Sequence, residues 1–331
     1  MKYTRSIISF VIVCFVFLMS GSSNSLAGPT TLRLGGINAP KTPITRGQYK
    51  FAELVNQKTS GAVKVEVFPA SQLGKALVQI EGVQLGTQDM FGAAVDWYAE
   101  LVKDWRVLSM GFVFKDFDHV RAFEKSEIYK DLKAQLLKKG LRVVSDGWFR
   151  MPRVFMGKKP IKTPDDLKGL KMRVPNIATY LKVWEGLGAR PTRIAWGEVY
   201  MALKQGVVDA CEGPLDAIYG MKFFEAAPNI VMTNHLYSNA NIVMSEKKFQ
   251  SLEAQFQKAI LEAGREAGVW YTRASREKFE KDKPTMIAAG AKFLEVNPKP
   301  FVEKLRPVVE KLEAEGFWRK GLYWEIQKLA K

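Results

Sequence analysis

Cysteine and histidine are nearly missing from this sequence of 331 residues, which holds two of each. Cys14 falls in an apolar run near the start, so Cys211 is the only cysteine beyond it. The exported chain therefore forms no internal disulfide, and its stability comes from packing. A Cys-x-x-Cys redox or metal motif is excluded for the same reason. His119 and His235 lie far apart, and neither has a partner at ligand spacing. Both read as structural, and no metal centre is expected. Gly-x-Ser-x-Gly, a Walker loop and His-Glu-x-x-His are all absent. Gly186-Leu187-Gly188 lacks a third glycine and follows no strand, so it is no dinucleotide loop. Asp165-Asp166, ahead of Leu167, reads as a helix N-terminus. Two carboxylates distant in sequence could still serve a hydrolase, but nothing in the sequence points to such a pair. No catalytic residue and no cofactor are expected.

Long hydrophobic runs are also lacking. Ile7 to Met19 is apolar except for Ser9, shorter than the roughly 18 residues of a spanning helix. Lys2 and Arg5 precede it, and the small residues from Gly21 to Gly28 follow. This is the pattern of a secretory signal peptide, residues 1–27, cleaved after Ala27. Cys14 has no lipid-attachment flanks. The expected location is the periplasm.

Positive charge is in excess. Lysine and arginine number 50 against 34 acidic residues, for a formal net charge of +16. Removing residues 1–27 takes away Lys2 and Arg5 and leaves +14. The basic residues are spread along helix faces such as Lys130–Lys139 and Lys278–Lys283, with no basic run interleaved with aromatics. That is a solvated surface, and no nucleic-acid partner is expected.

Thr31 to Gly36 alternates and ends in glycines, reading as a strand; a helix follows from about Gln48 to Lys58 with Phe51, Leu54 and Val55 on one face. Val63–Phe68 alternates as a second strand. Helical and extended signals go on alternating: Leu77–Leu85 helical, Asp89–Ala94 extended, Tyr129–Lys139 helical, Leu141–Ser145 extended. The fold class is α/β with mostly parallel sheets. Gly86-Thr87-Gln88-Asp89 and Gly206-Val207-Val208-Asp209 share Gly-x-x-Asp, each glycine closing a helical run. This echo suggests two lobes of related design. From Lys247 to about Lys281 the apolar residues keep helical spacing, with Pro284 after the end. Such a helix runs about 50 Å and spans both lobes. A short strand near Phe293–Val296 and two helices complete the chain, with Trp318, Tyr323 and Trp324 read as packing.

In Gly169-Leu170-Lys171-Met172-Arg173-Val174-Pro175, apolar residues occupy one face of a strand and Lys171 and Arg173 the other. Composition alone reads Arg173 as an exposed residue on a solvated face. It also stands at the carboxyl end, where ligands bind in open α/β sheets.

Residues 160–245 resemble the extracytoplasmic substrate-binding subunit of tripartite ATP-independent periplasmic (TRAP) transporters, the DctP type. The matching elements are Asp-Leu-Lys-Gly-Leu-Lys-x-Arg-Val-Pro, Leu-Gly-Ala-x-Pro, Glu-Val-Tyr-x-Ala-Leu, Gly-x-Val-Asp and Thr-Asn-His. Ser71-Gln72-Leu73-Gly74 and Gln84-x-Gly-x-x-Asp89-Met90 extend the likeness upstream. The resemblance implies a two-lobed periplasmic-binding-protein fold of type II-like architecture, with a long helix crossing both lobes. Lobe I is expected from residues 28–150 plus about 239–280, and lobe II from 151–238 plus about 281–331. It implies a small organic acid held in the interlobe cleft and delivered to the small and large membrane permease subunits, by a monomer without cofactor.

By the same resemblance Arg173 grips the carboxylate; a guanidinium offers two parallel donors that lysine does not reproduce. Arg153 corresponds to an auxiliary arginine, with Arg150 competing for that place. Trp196 corresponds to a cleft-lining aromatic and Asn38 to a polar contact. Gly213 stands where sialic-acid binders carry asparagine, after the Glu of Val-Asp-x-x-Glu. Lys75 and Ala94 replace acidic or polar cleft positions. With Trp97, Tyr98 and Trp148 nearby, either lining the cleft or in the core, the expected ligand is a smaller or more apolar carboxylate than a sugar acid. Two other classes fit an exported chain of this kind: an enzyme acting on small carboxylic acids, and the ligand-sensing subunit of a signalling receptor.

Overall fold

The computed structural model describes residues 28–330, and the signal-peptide reading of residues 1–27 lies outside them. Eleven strands are present among the described residues: β1 (Thr30–Gly35), β2 (Val63–Phe68), β3 (Met90–Ala94), β4 (Leu141–Phe149), β5 (Arg153–Gly157), β6 (Lys171–Val174), β7 (Arg190–Arg193), β8 (Ala210–Pro214), β9 (Asn229–Leu236), β10 (Asn239–Ser245) and β11 (Lys292–Glu295). They form two sheets, one with order β2-β1-β3-β10-β4 and one with order β11-β9-β5-β8-β6-β7. Each sheet is the floor of one lobe.

The sheets are mixed, not mostly parallel. β1 pairs in parallel with β2 and β3, but β10 runs antiparallel to both β3 and β4. In the second sheet β5 is antiparallel to β8 and β9, while β6 pairs in parallel with β7 and β8. Helical crossovers such as Pro43–Lys58 between β1 and β2 produce the parallel pairs. Two of the three strands that begin after a change of sheet, β5 after β4 and β10 after β9, are reversed, while β11, after β10, runs parallel to β9. A local reading of alternating helix and strand carries no information about such a return.

Helix boundaries differ from expectation where proline acts. The first helix begins at Pro43, five residues before the periodic pattern, because proline suits the first turn, where no backbone N–H is needed. The long helix is Ala254–Ala288, preceded by a separate short helix Glu246–Gln250. Its 35 residues span about 52 Å. Pro284 lies inside it and does not follow its end. Gly86 and Gly206 both adopt φ near +80° after their helices, 80° and 74°, which explains the repeated glycine.

The long helix presses on the back of β4 through glycine. A Cβ on Gly264 would lie 2.4 Å from the Val144 carbonyl oxygen and 2.7 Å from the Ser145 Cβ, while the Ser145 hydroxyl donates to the Gly264 carbonyl at 2.7 Å. The obstacle is sheet backbone, which cannot turn aside. Gly264→Ala should therefore destabilise the fold by about 1–3 kcal/mol in urea unfolding, despite the better helix propensity of alanine. An unchanged or raised midpoint would show that helix and sheet are not in such contact.

Candidate functional site

β5, β6 and β8 lie side by side in the second sheet and bring three charged residues together at their ends nearest the first lobe. Arg153 opens β5, Arg173 is the third residue of β6, and Glu212 is central in β8. All three are buried, Arg173 and Glu212 completely. The solvated-face reading of Arg173 is thus corrected: its side chain is fully buried beside Trp196 and Glu212, although Lys171, two residues earlier on the same face, is exposed.

Glu212 and Arg153 form a bidentate pair, with Nε to Oε2 at 2.5 Å and Nη2 to Oε1 at 2.6 Å. Burial pushes the Glu212 carboxyl up, but Arg153 outweighs it, with His235 adding, and holds it down at about 2. Burial likewise opposes the Arg153 charge, and Glu212 with Tyr180 and Asp96 overcomes it, so that Arg153 lies above the usual arginine range. His235 Nε2 is 3.4 Å from Glu212 Oε2, and its Nδ1 shares a 2.8 Å hydrogen bond with the Thr233 hydroxyl. Burial lowers its pKa against the pull of Glu212. Both histidines are structural in position: His119 Nε2 bonds the Ile326 carbonyl at 2.7 Å, and its Nδ1 accepts from the Lys115 amide. Cys211, next to Glu212, is buried, which pushes its thiol up to about 12 and leaves it inert.

Arg173 is different. Its Nε donates to the Ile194 carbonyl at 2.9 Å and its guanidinium lies over Trp196, 5.3 Å from the ring centroid. Glu212 Oε1 is 3.8 Å from Nη1, too far for a hydrogen bond. Both Nη atoms are buried without a partner. Burial, only partly offset by Glu212, lowers its pKa to about 10. A guanidinium held rigidly by Nε with both Nη groups free is a preformed fork for two oxygens.

Arg173 borders a cavity of about 30 Å³ between the lobes. Arg153, Trp196, Pro175, Ile177 and Tyr180 wall it from the second lobe; Ile37, Asn38, Ala94, Asp96 and Trp97 wall it from the first, with Arg150 at the connection. Tyr180 donates to Asp96 Oδ2 at 2.8 Å, a direct bond between the lobes, and Arg153 Nη1 is 4.0 Å from the same oxygen. Burial raises the Asp96 pKa against Arg153 and the Tyr180 bond. A larger chamber of about 410 Å³ shares Ile37, Trp97 and Trp196 with the inner cavity and opens past Lys75, Asn176, Arg193 and Glu198. Lys75 and Glu198 pair across its mouth at 2.8 Å, both exposed and so worth under about 1 kcal/mol.

Arg173, Arg153, Arg150, Trp196 and Asn38 therefore meet at one place, along with Ala94 and Trp97. Gly213 does not reach the wall. It lies behind Trp196, where a Cβ would come within 3.1 Å of the indole and 3.3 Å of the Met156 methyl. Glycine here makes room for the tryptophan. Tyr98 and Trp148 are core: Tyr98 donates to Asn241 at 2.6 Å, and Trp148 stacks on Tyr271. Sequence reasoning missed Asp96 and Tyr180. Asp96 follows an apolar strand and is the only charge between Asp89 and Glu100, a signal that was legible; Tyr180 in a helical run gave none.

Residues 34–315 match the bacterial extracellular solute-binding protein family 7, DctP. The 2,3-diketo-L-gulonate-binding periplasmic protein of Escherichia coli (strain K12) is 32% identical, covering 88% of this chain and 89% of its own. The C4-dicarboxylate-binding periplasmic protein of Rhodobacter capsulatus is 30% identical over 87% of this chain and 86% of its own. A TRAP periplasmic solute-binding protein from Chromohalobacter salexigens, solved with bound D-glucuronate, superimposes with a TM-score of 0.86 at 28% identity, covering 90% of this chain and 99% of that one. The long helix, the two mixed sheets and the family match lead to one assignment: the chain belongs to the DctP family of TRAP-type solute-binding proteins.

Proposed function

We propose that this protein captures a small organic acid in the periplasm, holding its carboxylate on Arg173, and hands it to the small and large permease subunits of a TRAP transporter. The carrying observation is the pair of buried, unpartnered Nη groups of Arg173 at an interlobe cavity. A buried donor without a partner costs free energy, so the site favours whatever supplies two acceptors. Arg153 is tied to Glu212 and serves as a fixed positive wall. Arg150, with an unpartnered Nε on the same cavity, is the auxiliary arginine. Asn38 contributes from the first lobe and Trp196 carries the face of the acid.

The lobes divide as residues 28–150 with about 239–280, and 151–238 with about 281–331. β4 ends at Phe149 in one sheet and β5 begins at Arg153 in the other; β9 and β10 are separated by two residues at the return. Closure brings Asp96 onto Tyr180 and Arg153, so an acid that bridges them favours the closed state by its differential affinity. The inner cavity accepts little more than the two oxygens and first carbon, with the body of the ligand between Trp97 and Trp196. This supports a small carboxylate with an apolar body. Mass spectrometry of small molecules released by denaturing the purified mature protein tests the reading. A carboxylic acid returned intact and rebinding in titration calorimetry is expected; a released compound without an acid group would overturn it.

A further inference from the structure

Two hydrogen bonds join the lobes through a tyrosine and an aspartate, and they run in opposite directions. Tyr180, on the second lobe, donates to Asp96 of the first at 2.8 Å, and both residues border the ligand cavity. Tyr271 of the long helix donates to Asp216 Oδ2 at 2.6 Å. Tyr271 is fully buried in the same apolar cluster as Leu34, Phe51 and Met90, which belong to the first sheet and its helix. Asp216 is the second residue of the helix Leu215–Met221, which leaves β8 of the second sheet. Neither Tyr271 nor Asp216 is among the residues that wall the inner cavity or the outer chamber.

We propose that the Tyr271–Asp216 bond is a latch of the closed state, by which two residues outside the ligand cavity set the closed fraction on which affinity depends. The latch needs two lobes but no property of the acid, so it is independent of the carboxylate reading. Asp216 is 5% exposed and its Oδ1 has no partner, so the Tyr271 hydroxyl is what satisfies this carboxylate. Burial, with Asp216 adding, pushes the Tyr271 pKa well above the ordinary tyrosine range, and the hydroxyl stays a donor. A hydrogen bond is lost beyond about 3.5 Å, so a small displacement of one lobe against the other breaks it. The ring is not free to follow: it stacks on Trp148 at 5.2 Å, and the Trp148 indole N–H donates in turn to the Ser145 hydroxyl. One turn beyond Asp216, a Cβ on Gly220 would lie 2.8 Å from Thr42 Cγ2, so the lobes press together there as well. When they part, water from a chamber of about 760 Å³ that Asp216 borders takes over the carboxylate, which keeps the latch reversible. Apparent affinity falls in proportion to the fraction of molecules in the binding-competent state, so the latch acts on every acid by the same factor.

Cross-linking of the ligand-free mature protein tests the latch. Lys75 and Glu198 meet across the mouth at 2.8 Å, so with Lys75→Cys and Glu198→Cys in one chain a short bis-maleimide bridges the two thiols only while the lobes are closed. The rate of bridging, divided by the rate of labelling with a monofunctional maleimide, follows the closed fraction. The native Cys211 is buried and does not compete. In this background Tyr271→Phe and Asp216→Ala should each slow bridging about tenfold, the worth of one buried hydrogen bond to a charged acceptor. The double variant should be no slower than either alone, because both changes remove the same bond. Asp216→Asn keeps an acceptor for the hydroxyl and should bridge faster than Asp216→Ala. A merely structural role would lower the urea midpoint without producing this pattern. Bridging in Tyr271→Phe that is faster than in its parent, or within about twofold of it, would overturn the latch, and so would losses that multiply in the double variant.

Discussion

Replacing Arg173 by alanine should abolish high-affinity binding of the cognate acid, with a loss on the order of a hundredfold to a thousandfold in titration calorimetry. The magnitude follows from burial. Arg173 is wholly inaccessible to solvent, so a carboxylate that enters its cavity gives up water completely and is left without its pair when the fork is removed. Breaking a buried ion pair on one side costs about 3–5 kcal/mol, and each 1.4 kcal/mol is a factor of ten. Arg173→Lys is expected to recover little, because an ammonium cannot present two parallel donors while also reaching the Ile194 carbonyl. The fold should survive both changes better than the affinity does, since Arg173 makes one hydrogen bond and stands 3.8 Å from Glu212. An affinity within threefold of the unaltered protein for Arg173→Ala would remove Arg173 from the site.

Most of the scaffold of this site was legible in the sequence, and the illegible parts share a cause. β1, β2 and β3 follow from their alternation or continuous burial, whereas the helix between β2 and β3 has no clean apolar face, with Val78 and Leu85 exposed. The glycines closing two helices follow from backbone geometry. Arg173 was readable as the end of a strand, but its burial comes from Trp196 and Glu212, distant in sequence, packing around it, which no local pattern carries. The sequence marks Glu212 only as the last letter of Val-Asp-x-x-Glu; nothing local makes it the counter-ion of Arg153, 59 residues away. Gly213 failed in an instructive way: a ligand contact expected from its position turned out to be space for the Trp196 ring. Asp96 and Tyr180 lie 84 residues apart and acquire meaning only when the lobes meet.

Glu212 should be the residue whose loss costs the fold most among those at the site. It holds Arg153 with two short hydrogen bonds, and its Oε2 stands near His235. Glu212→Ala leaves Arg153 buried with no paired carboxylate closer than Asp96 at 4.0 Å, and destabilisation by about 3–5 kcal/mol is expected in urea unfolding. Glu212→Gln keeps the shape but not the charge and should lose most of the same energy. The acid dependence gives an independent signature. The Glu212 pKa is depressed in the folded state, to about 2, from an unfolded value near 4.5, so its stabilisation is fully present above pH 4.5. As pH falls through that interval the unfolded chain takes up the proton first, and stability declines until both states are protonated below about pH 2. The interval is worth about 3 kcal/mol as an order of magnitude. The unaltered protein should therefore lose stability between pH 4.5 and pH 2 more steeply than Glu212→Gln, which lacks this group. Parallel stability curves for the two across that range would mean that the Arg153–Glu212 pair contributes nothing to the folded state, and that the positive wall beside Arg173 is held by packing alone.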